Sequence, residues 1–457
     1  MWSQVSLAAG AFSLLFAPVD GKCKSIDVSA PGSAPHDASK PVDHAFASFS
    51  LPAHFFADFT GNKSHPNLFS RDIFDLLHKK TGAHPYPQAV ILSEKTENGI
   101  PAEVLIGPSW FEGFANFPGS LWNFQANLGL NASTSLDNTV EVCRLVVQAL
   151  RRDLIALEIG NEPDLYPTRV RPASYTVVDY VREWNRYADE ISRRVLRGNR
   201  YGLEEWRFFQ GLVYANETLG TFSTNGFDYK RSLGVFRRDI DFLKKYDPSI
   251  TFLLGETNSD YINLNMAQVE GVFGSALWLI DYLLYGMTMR HQNIARFNLI
   301  QGVTFGYTGW VPVPYAGRDP YIVVADAIGR APNVQVKEID LNRWDVSAYA
   351  VYEARRLAKY VIVNLDQWNA TTPHARPSQK LALSVPDGVK RASVTRLTGD
   401  GASADEGIAW GGLSWNYTDG RLAQTGREKV ETVKVKDGKV KVELQSSEAV
   451  LVTLHGR

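Results

Sequence analysis

The sequence predicts an α/β protein: a (β/α)8 TIM-type barrel followed by a C-terminal antiparallel, β-sandwich-like domain. Up to about residue 330, short apolar runs alternate with amphipathic segments, as they do where helices connect the strands of a parallel sheet. Beyond that point the chain changes to short β-type runs separated by Pro, Gly, Asn and Asp. A chain of 457 residues, 44% of them hydrophobic, is long enough to bury the cores of two domains.

Residues 1–21 have the pattern of a secretory signal peptide. Val5 to Phe16 is almost wholly apolar and too short to span a bilayer, and the small residues Ala17 and Gly21 follow it. No Lys or Arg precedes this run, so an apolar strand of the mature fold is the alternative. Five glycosylation triplets also fit a secreted, extracellular glycoprotein. They begin at Asn62, Asn131, Asn216, Asn369 and Asn416.

The domain boundaries follow from these changes in pattern. We expect the barrel over residues 48–330 and the C-terminal β-domain over 331–457. Residues 22–47 precede the barrel, and we expect part of this segment to add a strand to the β-domain. Cys23 and Cys143 leave two alternatives open, one disulfide or two thiols, and the fold depends on neither.

Hydrophobic periodicity assigns the elements of the barrel. Leu154 to Ile159 has the length and composition of a buried parallel strand. Residues 178–195 carry apolar positions at helical spacing, and Gly198 ends this helix. The other predicted strands are Phe208 to Tyr214, Ile250 to Leu254 and Ile294 to Ile300, and the other predicted helices cover 236–246 and 268–287.

The β-domain is predicted from short runs of β-forming residues. Val433 to Lys436 and Lys439 to Leu444 alternate apolar with charged residues on either side of Asp437-Gly438, which predicts a β-hairpin. The runs before it are Ser347 to Tyr352, Tyr360 to Asn364, Leu381 to Val385 and Ser393 to Leu397.

Two glutamates follow apolar runs that end in glycine. Glu162 comes after Ile159-Gly160-Asn161, and Glu256 comes directly after Gly255. The carboxyl ends of barrel strands meet at one mouth, so both side chains can enter one pocket. A retaining glycosidase needs two carboxyls about 5–5.5 Å apart, one protonated as the acid and one ionised as the nucleophile. The Asn161 amide can bond a sugar 2-hydroxyl; two structural loop glutamates are the alternative.

These motifs resemble a known family. Residues 158–166 and 255–259 look like the acid/base and nucleophile motifs of glycoside hydrolase family 79, the secreted fungal β-glucuronidases related to heparanase. Further stretches resemble the same family, so the similarity covers nearly the whole chain. They are Ser48 to Leu51, Phe55 to Asn62, Gly107 to Glu112, Phe305 to Trp310 and Ser347 to Glu353.

The resemblance implies a retaining, exo-acting β-glucuronidase that uses Glu162 as acid/base and Glu256 as nucleophile, without a cofactor. It also implies that Tyr261, Gly306 and Tyr307 hold the uronate carboxylate through charge-assisted hydrogen bonds. The expected partner is a glycan or glucuronide that carries a terminal β-D-glucuronic acid. We expect the protein to be a monomer.

Three stretches depart from the family pattern. Thr81-Gly82-Ala83-His84-Pro85 runs straight into Tyr86, without the strand expected there. Residues 222–229 lack a His-X-Tyr element on the sixth strand, and residues 297–299 lack a histidine on the eighth. We therefore expect a barrel that is missing or degenerate at strands 2 and 6.

Other chemistries find little support in the sequence. The net charge of −1 leaves no basic excess for nucleic-acid phosphates, and no segment predicts a membrane span in the mature chain. The nine His show no metal-ligand spacing and two Cys cannot complete a tetrahedral site, so no metal is predicted. Motifs for serine hydrolases, nucleotides and dinucleotides are missing as well.

Two alternative functions remain open. A catalytically weak or inactive carbohydrate-binding paralogue would keep both glutamates but lack barrel elements. An endo-acting hydrolase of acidic polysaccharide would need a long basic cleft, and no Lys/Arg stripe is present to line one.

Overall fold

The computed structural model of this protein describes residues 25–90, 106–161, 163, 166–196, 210–214, 241–242, 245, 252–258, 271–289, 294–300 and 320–456. The predicted signal peptide, Cys23, the Asn216 triplet and residues 222–229 lie outside these residues. Within them, no helix is both long enough and apolar enough to cross a membrane.

The described chain contains nineteen strands, six α-helices and three further helical turns. The strands are β1 (Ile26–Val28), β2 (Ala47–Pro52), β3 (Gln88–Val90), β4 (Trp122–Ala126), β5 (Leu154–Ile159), β6 (Gln210–Tyr214), β7 (Phe252–Asn258), β8 (Ile294–Ile300), β9 (Gln335–Ile339), β10 (Val346–Glu353), β11 (Arg356–Asn364), β12 (Ser378–Ser384), β13 (Arg391–Thr398), β14 (Ala409–Trp410), β15 (Leu413–Thr418), β16 (Arg421–Gly426), β17 (Glu431–Lys434), β18 (Lys439–Gln445) and β19 (Glu448–His455). The helices are α1 (Ala53–Thr60), α2 (Leu68–Thr81), α3 (Ser135–Leu150), α4 (Val177–Ile191), α5 (Phe273–Thr288) and α6 (Pro320–Ile328). The helical turns are Pro108–Asn116, Arg151–Asp153 and Ser192–Leu196.

The barrel sheet is parallel, as the alternation of strands and helices predicts. Its seven strands in the described part of the chain follow the order β5-β4-β3-β2-β8-β7-β6. The predicted strand at Leu154–Ile159 is confirmed with the same bounds as β5. All residues of β4 and all but one of β5 are buried, because helices cover the outer face of such a sheet. The TIM-type barrel of the sequence prediction is the fold observed.

The strand that the sequence placed in doubt after Pro85 is present but short. β3 is three residues long and lies between two parallel neighbours. Leu51 of β2 is the partner of Ala89, which in turn is the partner of Phe124 of β4. The expectation of a missing strand 2 is wrong here, because these three residues supply the ladder that β2 and β4 would otherwise lack. The strand is degenerate in length only.

Capping residues in the sequence set the ends of two barrel helices. Asn67 begins α2, where its side chain accepts a hydrogen bond from the Ser70 N–H, and Gly82 ends it at φ 86°. α4 begins with a capping box in which Thr176 and Asp179 exchange hydrogen bonds. The predicted helix over 178–195 is thereby confirmed as α4 and the turn after it.

The β-domain is a sandwich of a nine-stranded and a three-stranded sheet. The large sheet runs β16-β15-β14-β13-β19-β11-β10-β9, and β17 pairs with β13 beside this path. The small sheet runs β1-β12-β18. β1 comes from the N-terminal segment and pairs in parallel with β12, where Asp27 is opposite Ala382.

The centre of the nine-stranded sheet is buried on both faces. In β10, Ala348 and Ala350 belong to the core between the two sheets, while Tyr349 and Val351 belong to the core shared with the barrel. Successive side chains on a strand point to opposite faces. The near-continuous apolar sequence of β10, β11 and β19 therefore fills two cores, and the sheet lies between the barrel helices and the small sheet.

The hairpin predicted around Asp437-Gly438 forms its turn but not its ladder. Asp437 and Gly438 have φ of 51° and 69°, and Lys436 and Lys439 exchange backbone hydrogen bonds of 3.0 and 2.9 Å. The flanking strands then separate, since β17 pairs with β13 and β18 pairs with β12. The prediction of a two-stranded ladder is wrong because the apolar face of β18 is buried against the opposite sheet, which carries it away from β17.

A buried carboxyl joins the two domains. α5 is buried along its whole length from Phe273 to Met287, as expected for a helix with the barrel sheet on one side and the β-domain on the other. Asp281 of this helix accepts a hydrogen bond from the hydroxyl of Tyr349 on β10, and both side chains are 0% exposed. Burial raises the pKa of Asp281 to about 7.

This raised pKa predicts that the protein loses stability as the pH rises from about 4 to about 7. In that range the unfolded chain releases the Asp281 proton while the folded protein keeps it, so the free energy of unfolding falls by up to about 4 kcal/mol. Asp281→Asn stays neutral and should remove this part of the pH dependence. Urea unfolding at pH 4.5 and pH 7 measures it.

The control for this experiment is Asp405→Asn, which makes the same substitution at an exposed aspartate of the β-domain. It should keep the pH dependence of the unchanged protein. If the free energy of unfolding changes equally between pH 4.5 and pH 7 in all three proteins, Asp281 does not carry this proton.

Candidate active site

The predicted acid/base motif begins where β5 leaves the barrel sheet. The Gly160 N–H donates to the carbonyl of Ala126 at 2.9 Å, which extends the β4–β5 ladder by one residue. Gly160 has φ 91°, and a Cβ there would lie 3.1 Å from both Leu128 Cδ2 and the Tyr166 hydroxyl. Glycine is therefore required for both backbone conformation and space. The turn it permits directs Asn161 to the mouth of the barrel.

Asn161 is held from two directions. Its side-chain oxygen accepts a hydrogen bond from Nε2 of Gln125 at 3.0 Å, and its backbone N–H donates to the Tyr166 hydroxyl at 3.2 Å. Asn161 is 6% exposed and Gln125 is fully buried. With Oδ1 occupied by Gln125, the amide orientation is fixed so that the Nδ2 donor is directed away from Gln125. Asn161 was predicted from the sequence, whereas Gln125, a polar residue at a buried strand end, was not.

The loop after β5 is organised by Arg171, whose side chain is 4% exposed. Its guanidinium pairs with Glu183 of α4 through two hydrogen bonds of 2.8 and 3.2 Å. The remaining N–H groups donate to three backbone carbonyls, at 2.8 Å to Leu128 and 2.9 Å to Gly129 and Val170. All five donors of the guanidinium are thus used. One side chain joins the loop after β4, the loop after β5 and α4.

Two tyrosines complete this arrangement. The Arg171 guanidinium lies 5.5 Å from the ring centre of Tyr166 and 5.7 Å from that of Tyr175. The Tyr175 hydroxyl donates to Glu183 at 2.8 Å. Burial raises the pKa of both tyrosines, so both hydroxyls stay protonated and the Tyr175 hydroxyl keeps its donor role. The Tyr166 hydroxyl that receives the Asn161 N–H is therefore fixed through Arg171.

Glu256 lies within β7, not after it as the sequence predicted. The strand continues to Asn258, because Leu212 of β6 is the partner of Glu256 and Leu299 of β8 is the partner of Thr257. Both ladders shift register at residues 254–256, so β7 has one extra residue at this point relative to each neighbour. Bulges of this kind occur next to active sites, where they change the direction of a side chain.

The strand is anchored next to the bulge. The hydroxyls of Thr257 and Tyr282 share a hydrogen bond of 2.6 Å, and both residues are fully buried. Tyr282 lies on α5, so the end of β7 is fixed to the helix that also contacts the β-domain. The backbone of Glu256 is held in place by these contacts.

The other predicted site residues lie outside the described part of the chain. These residues are Glu162, Tyr261, Gly306 and Tyr307. Their roles, and the distance between the two catalytic carboxyls, stay predictions. What the structure describes is the backbone on both sides of Glu162, the backbone of Glu256 and two hydrogen bonds of Asn161.

His54 is a candidate that sequence reasoning missed. It follows β2 directly, at the carboxyl end of a barrel strand, and its Nε2 is buried without a hydrogen-bond partner in the described structure. Burial lowers its pKa to about 4, so the imidazole is neutral at pH 6 to 7 and available as a hydrogen-bonding group. A polar residue just after the first barrel strand was the signal in the sequence.

The structure describes one of the two cysteines. Cys143 is a free thiol buried in α3, so the alternative of an unpaired thiol applies to this residue. Burial raises the pKa of the thiol to about 12. Among the described residues, no cluster of three His, Cys, Asp or Glu could hold a metal ion.

Comparison with protein families finds one match in the β-domain. Residues 348–451 match the glycosyl hydrolase family 79 C-terminal beta domain. The matched residues run from β10 into β19 and so include strands of both sheets.

Two curated fungal proteins are similar to nearly the whole chain. The beta-glucuronidase of Aspergillus niger is 30% identical over 95% of this chain and 95% of its own length. The beta-glucuronidase of Neurospora crassa is 26% identical over 88% of this chain and 90% of its own length. The similarity therefore includes the barrel as well as the β-domain.

Solved structures have the same fold. A 4-O-alpha-L-rhamnosyl-beta-D-glucuronidase from Fusarium oxysporum 12S superposes with a TM-score of 0.76 over 94% of this chain and 100% of its own, at 19% identity. A family 51 arabinofuranosidase from Xanthomonas axonopodis pv. citri gives a TM-score of 0.59 at 12% identity, over 94% and 99% of the two chains. At these identities the likeness concerns the fold.

Arg171 yields a prediction on stability. Arg171→Met would leave the Glu183 carboxylate and three carbonyls without their partner in a buried site. We expect the free energy of unfolding to fall by about 3–5 kcal/mol. Arg182→Met is the matched control, because Arg182 lies one residue before Glu183 and pairs with Asp179 at a side-chain exposure of 74%; it should cost less than about 1 kcal/mol. Urea unfolding measures both, and equal losses would contradict the role given to Arg171.

Proposed function

This chain belongs to glycoside hydrolase family 79, and we propose that it removes terminal β-D-glucuronic acid from glycans with Glu162 as acid/base and Glu256 as nucleophile. The observation that carries the activity is the 30% identity to the beta-glucuronidase of Aspergillus niger over 95% of both chains. The geometry around Asn161 and the β7 bulge supports the two glutamate roles.

The proposed reaction has two steps. In the first, the Glu256 carboxylate attacks the anomeric carbon while Glu162 gives its proton to the departing glycosidic oxygen, and the C–O bond breaks. In the second, Glu162 takes a proton from a water molecule, whose oxygen attacks the same carbon and releases Glu256. Two displacements return the original anomeric configuration, and no cofactor enters either step.

Asn161 has a positioning and binding role in this scheme. Its fixed amide can direct the Nδ2 donor to the sugar 2-hydroxyl, an interaction that strengthens as the transition state forms. Gln125 supplies this orientation and Arg171 holds the adjoining loop. Tyr261, Gly306 and Tyr307 are proposed to bind the uronate carboxylate, with roles taken from the family resemblance.

An exo-acting enzyme fits the charge of the chain better than an endo-acting one. An extended acidic polysaccharide would require a concentrated row of basic side chains, and the sequence has none. We also propose secretion, from the signal-peptide pattern, and glycosylation at exposed triplets. Asn62 and Asn131 are exposed, whereas Asn369 and Asn416 are partly buried.

The activity is tested with aryl β-D-glucuronide and aryl β-D-glucoside as substrates. We expect turnover of the glucuronide, a preference over the glucoside, and a loss of about a thousandfold or more in Glu256→Gln. Glu162→Gln should lose most of its activity on substrates with poor leaving groups, since these depend on the acid. The product released first should be the β anomer, as proton NMR can show.

Glu406→Gln is the matched control, because it makes the same substitution at an exposed glutamate of the β-domain. It should keep full activity. A folded protein without turnover would contradict the proposed enzymatic activity and favour the carbohydrate-binding paralogue. The short β3, only three residues long, is a structural argument for that alternative.

A further inference from the structure

One end of the β-domain lies on the same side of the barrel as its mouth. α5 follows β7, so its N-terminus lies at the carboxyl end of the parallel strands, where the active site of a barrel is found. The backbone N–H groups of Phe273 and Gly274, at the start of α5, donate to the carbonyls of Ala404 and Ala402 at 2.8 Å. The β-domain loop that contains these two alanines is thereby fixed to the mouth-side end of α5.

Hydrogen bonds connect this loop to two others at the same end of the sandwich. Ala402 donates its N–H to the Trp368 carbonyl at 2.7 Å, which places the loop after β11 against it. Leu365, at the start of that loop, donates its N–H to the Asp345 carbonyl at 2.7 Å. The loop between β9 and β10 is therefore the third member of this group. The opposite end of the sheet contacts the end of α6, where Lys359 donates to the carbonyls of Asp326 and Ala327.

The loop between β9 and β10 presents an exposed tryptophan. Trp344 is 47% exposed, more than any other tryptophan among the described residues. Its indole N–H makes no hydrogen bond within the described part of the chain. An aromatic ring of this size, with an apolar face and a free polar edge, is suited to a ligand that has both apolar faces and hydroxyl groups.

Hydrogen bonds order the loop around Trp344. On one side, Asn342 has φ 51° and its N–H donates to the Asp340 side chain at 2.7 Å. On the other side, Nε of Arg343 donates to Asp345 at 2.8 Å, and a second guanidinium N–H donates to the other carboxylate oxygen. Asp345 is only 7% exposed. A rigid loop lowers the entropy lost when a ligand binds to it.

We propose that Trp344 is the platform of an accessory carbohydrate-binding subsite at the mouth-side end of the β-domain. Its occupant is a sugar on the leaving-group side of the glycan, whose ring stacks on the indole while its hydroxyls meet the indole N–H and the Arg343 guanidinium. The proposal rests on the proposed function, because it assigns this sugar to the substrate that the barrel cleaves. It gives the β-domain a part in selecting long substrates.

The test compares a long and a short substrate in the full-length protein. The two are a glucuronic-acid-capped tetrasaccharide and an aryl β-D-glucuronide, and the quantity measured is the ratio of their KM values. We expect Trp344→Ala to raise this ratio, long over short, about tenfold, since stacking is lost only for the long substrate. Trp344→Phe keeps an aromatic platform and should restore most of the difference. Val430→Ala, which truncates another exposed apolar residue of the β-domain, should leave the ratio unchanged.

Calorimetric titration separates this proposal from the proposed function. The tetrasaccharide is titrated into the Glu256→Gln protein with and without Trp344→Ala, so that binding is measured without turnover. A tenfold weaker binding after removal of Trp344 supports the subsite even if the protein shows no hydrolysis. Equal binding by the two proteins, or an unchanged KM ratio in Trp344→Ala, would overturn the subsite while leaving the barrel chemistry untouched.

Discussion

Burial of both faces at the centre of the nine-stranded sheet is the constraint on which the arrangement of the molecule depends. Each strand of its centre places alternate side chains in two cores, so β10 cannot lose the barrel from one side or the small sheet from the other without exposing apolar surface. α5 is subject to the same constraint, since it is buried along its whole length between the barrel sheet and this sheet. The domains therefore have a fixed orientation, and the Asp281–Tyr349 hydrogen bond lies where water has been excluded from both sides.

The sequence predicted the elements whose periodicity reflects local burial. β5 and α4 were found at or near their predicted bounds, because an apolar run and apolar positions at helical spacing are local signals. The pairing of strands was harder to predict than the strands themselves. The turn at Asp437-Gly438 is visible in the sequence, but the separation of β17 from β18 depends on which sheet covers each strand. The three residues of β3 carry too little pattern to be recognised without their neighbours.

The candidate site shows the same division. Asn161 could be predicted because its position after a strand end is itself the signal. Arg171 could not, since its role is defined by Glu183, twelve residues away, and by Leu128 and Gly129, more than forty residues away. The bulge in β7 was hidden for a similar reason, because a bulge exists only relative to neighbouring strands. Residue types predict the chemistry of this site, and contacts between distant segments determine its geometry.

The parallel pairing of β1 with β12 makes the β-domain discontinuous along the chain. Val28 lies in the sandwich core beside strands that begin more than 300 residues later, and the entire barrel is inserted between them. During synthesis the first strand emerges long before its partners, so it must wait for almost the complete polypeptide. Its ladder has a very large sequence separation, which makes its formation a late step of folding. A fragment cut at the barrel boundary would leave β12 as an uncovered edge, and such an edge is open to pairing with other chains.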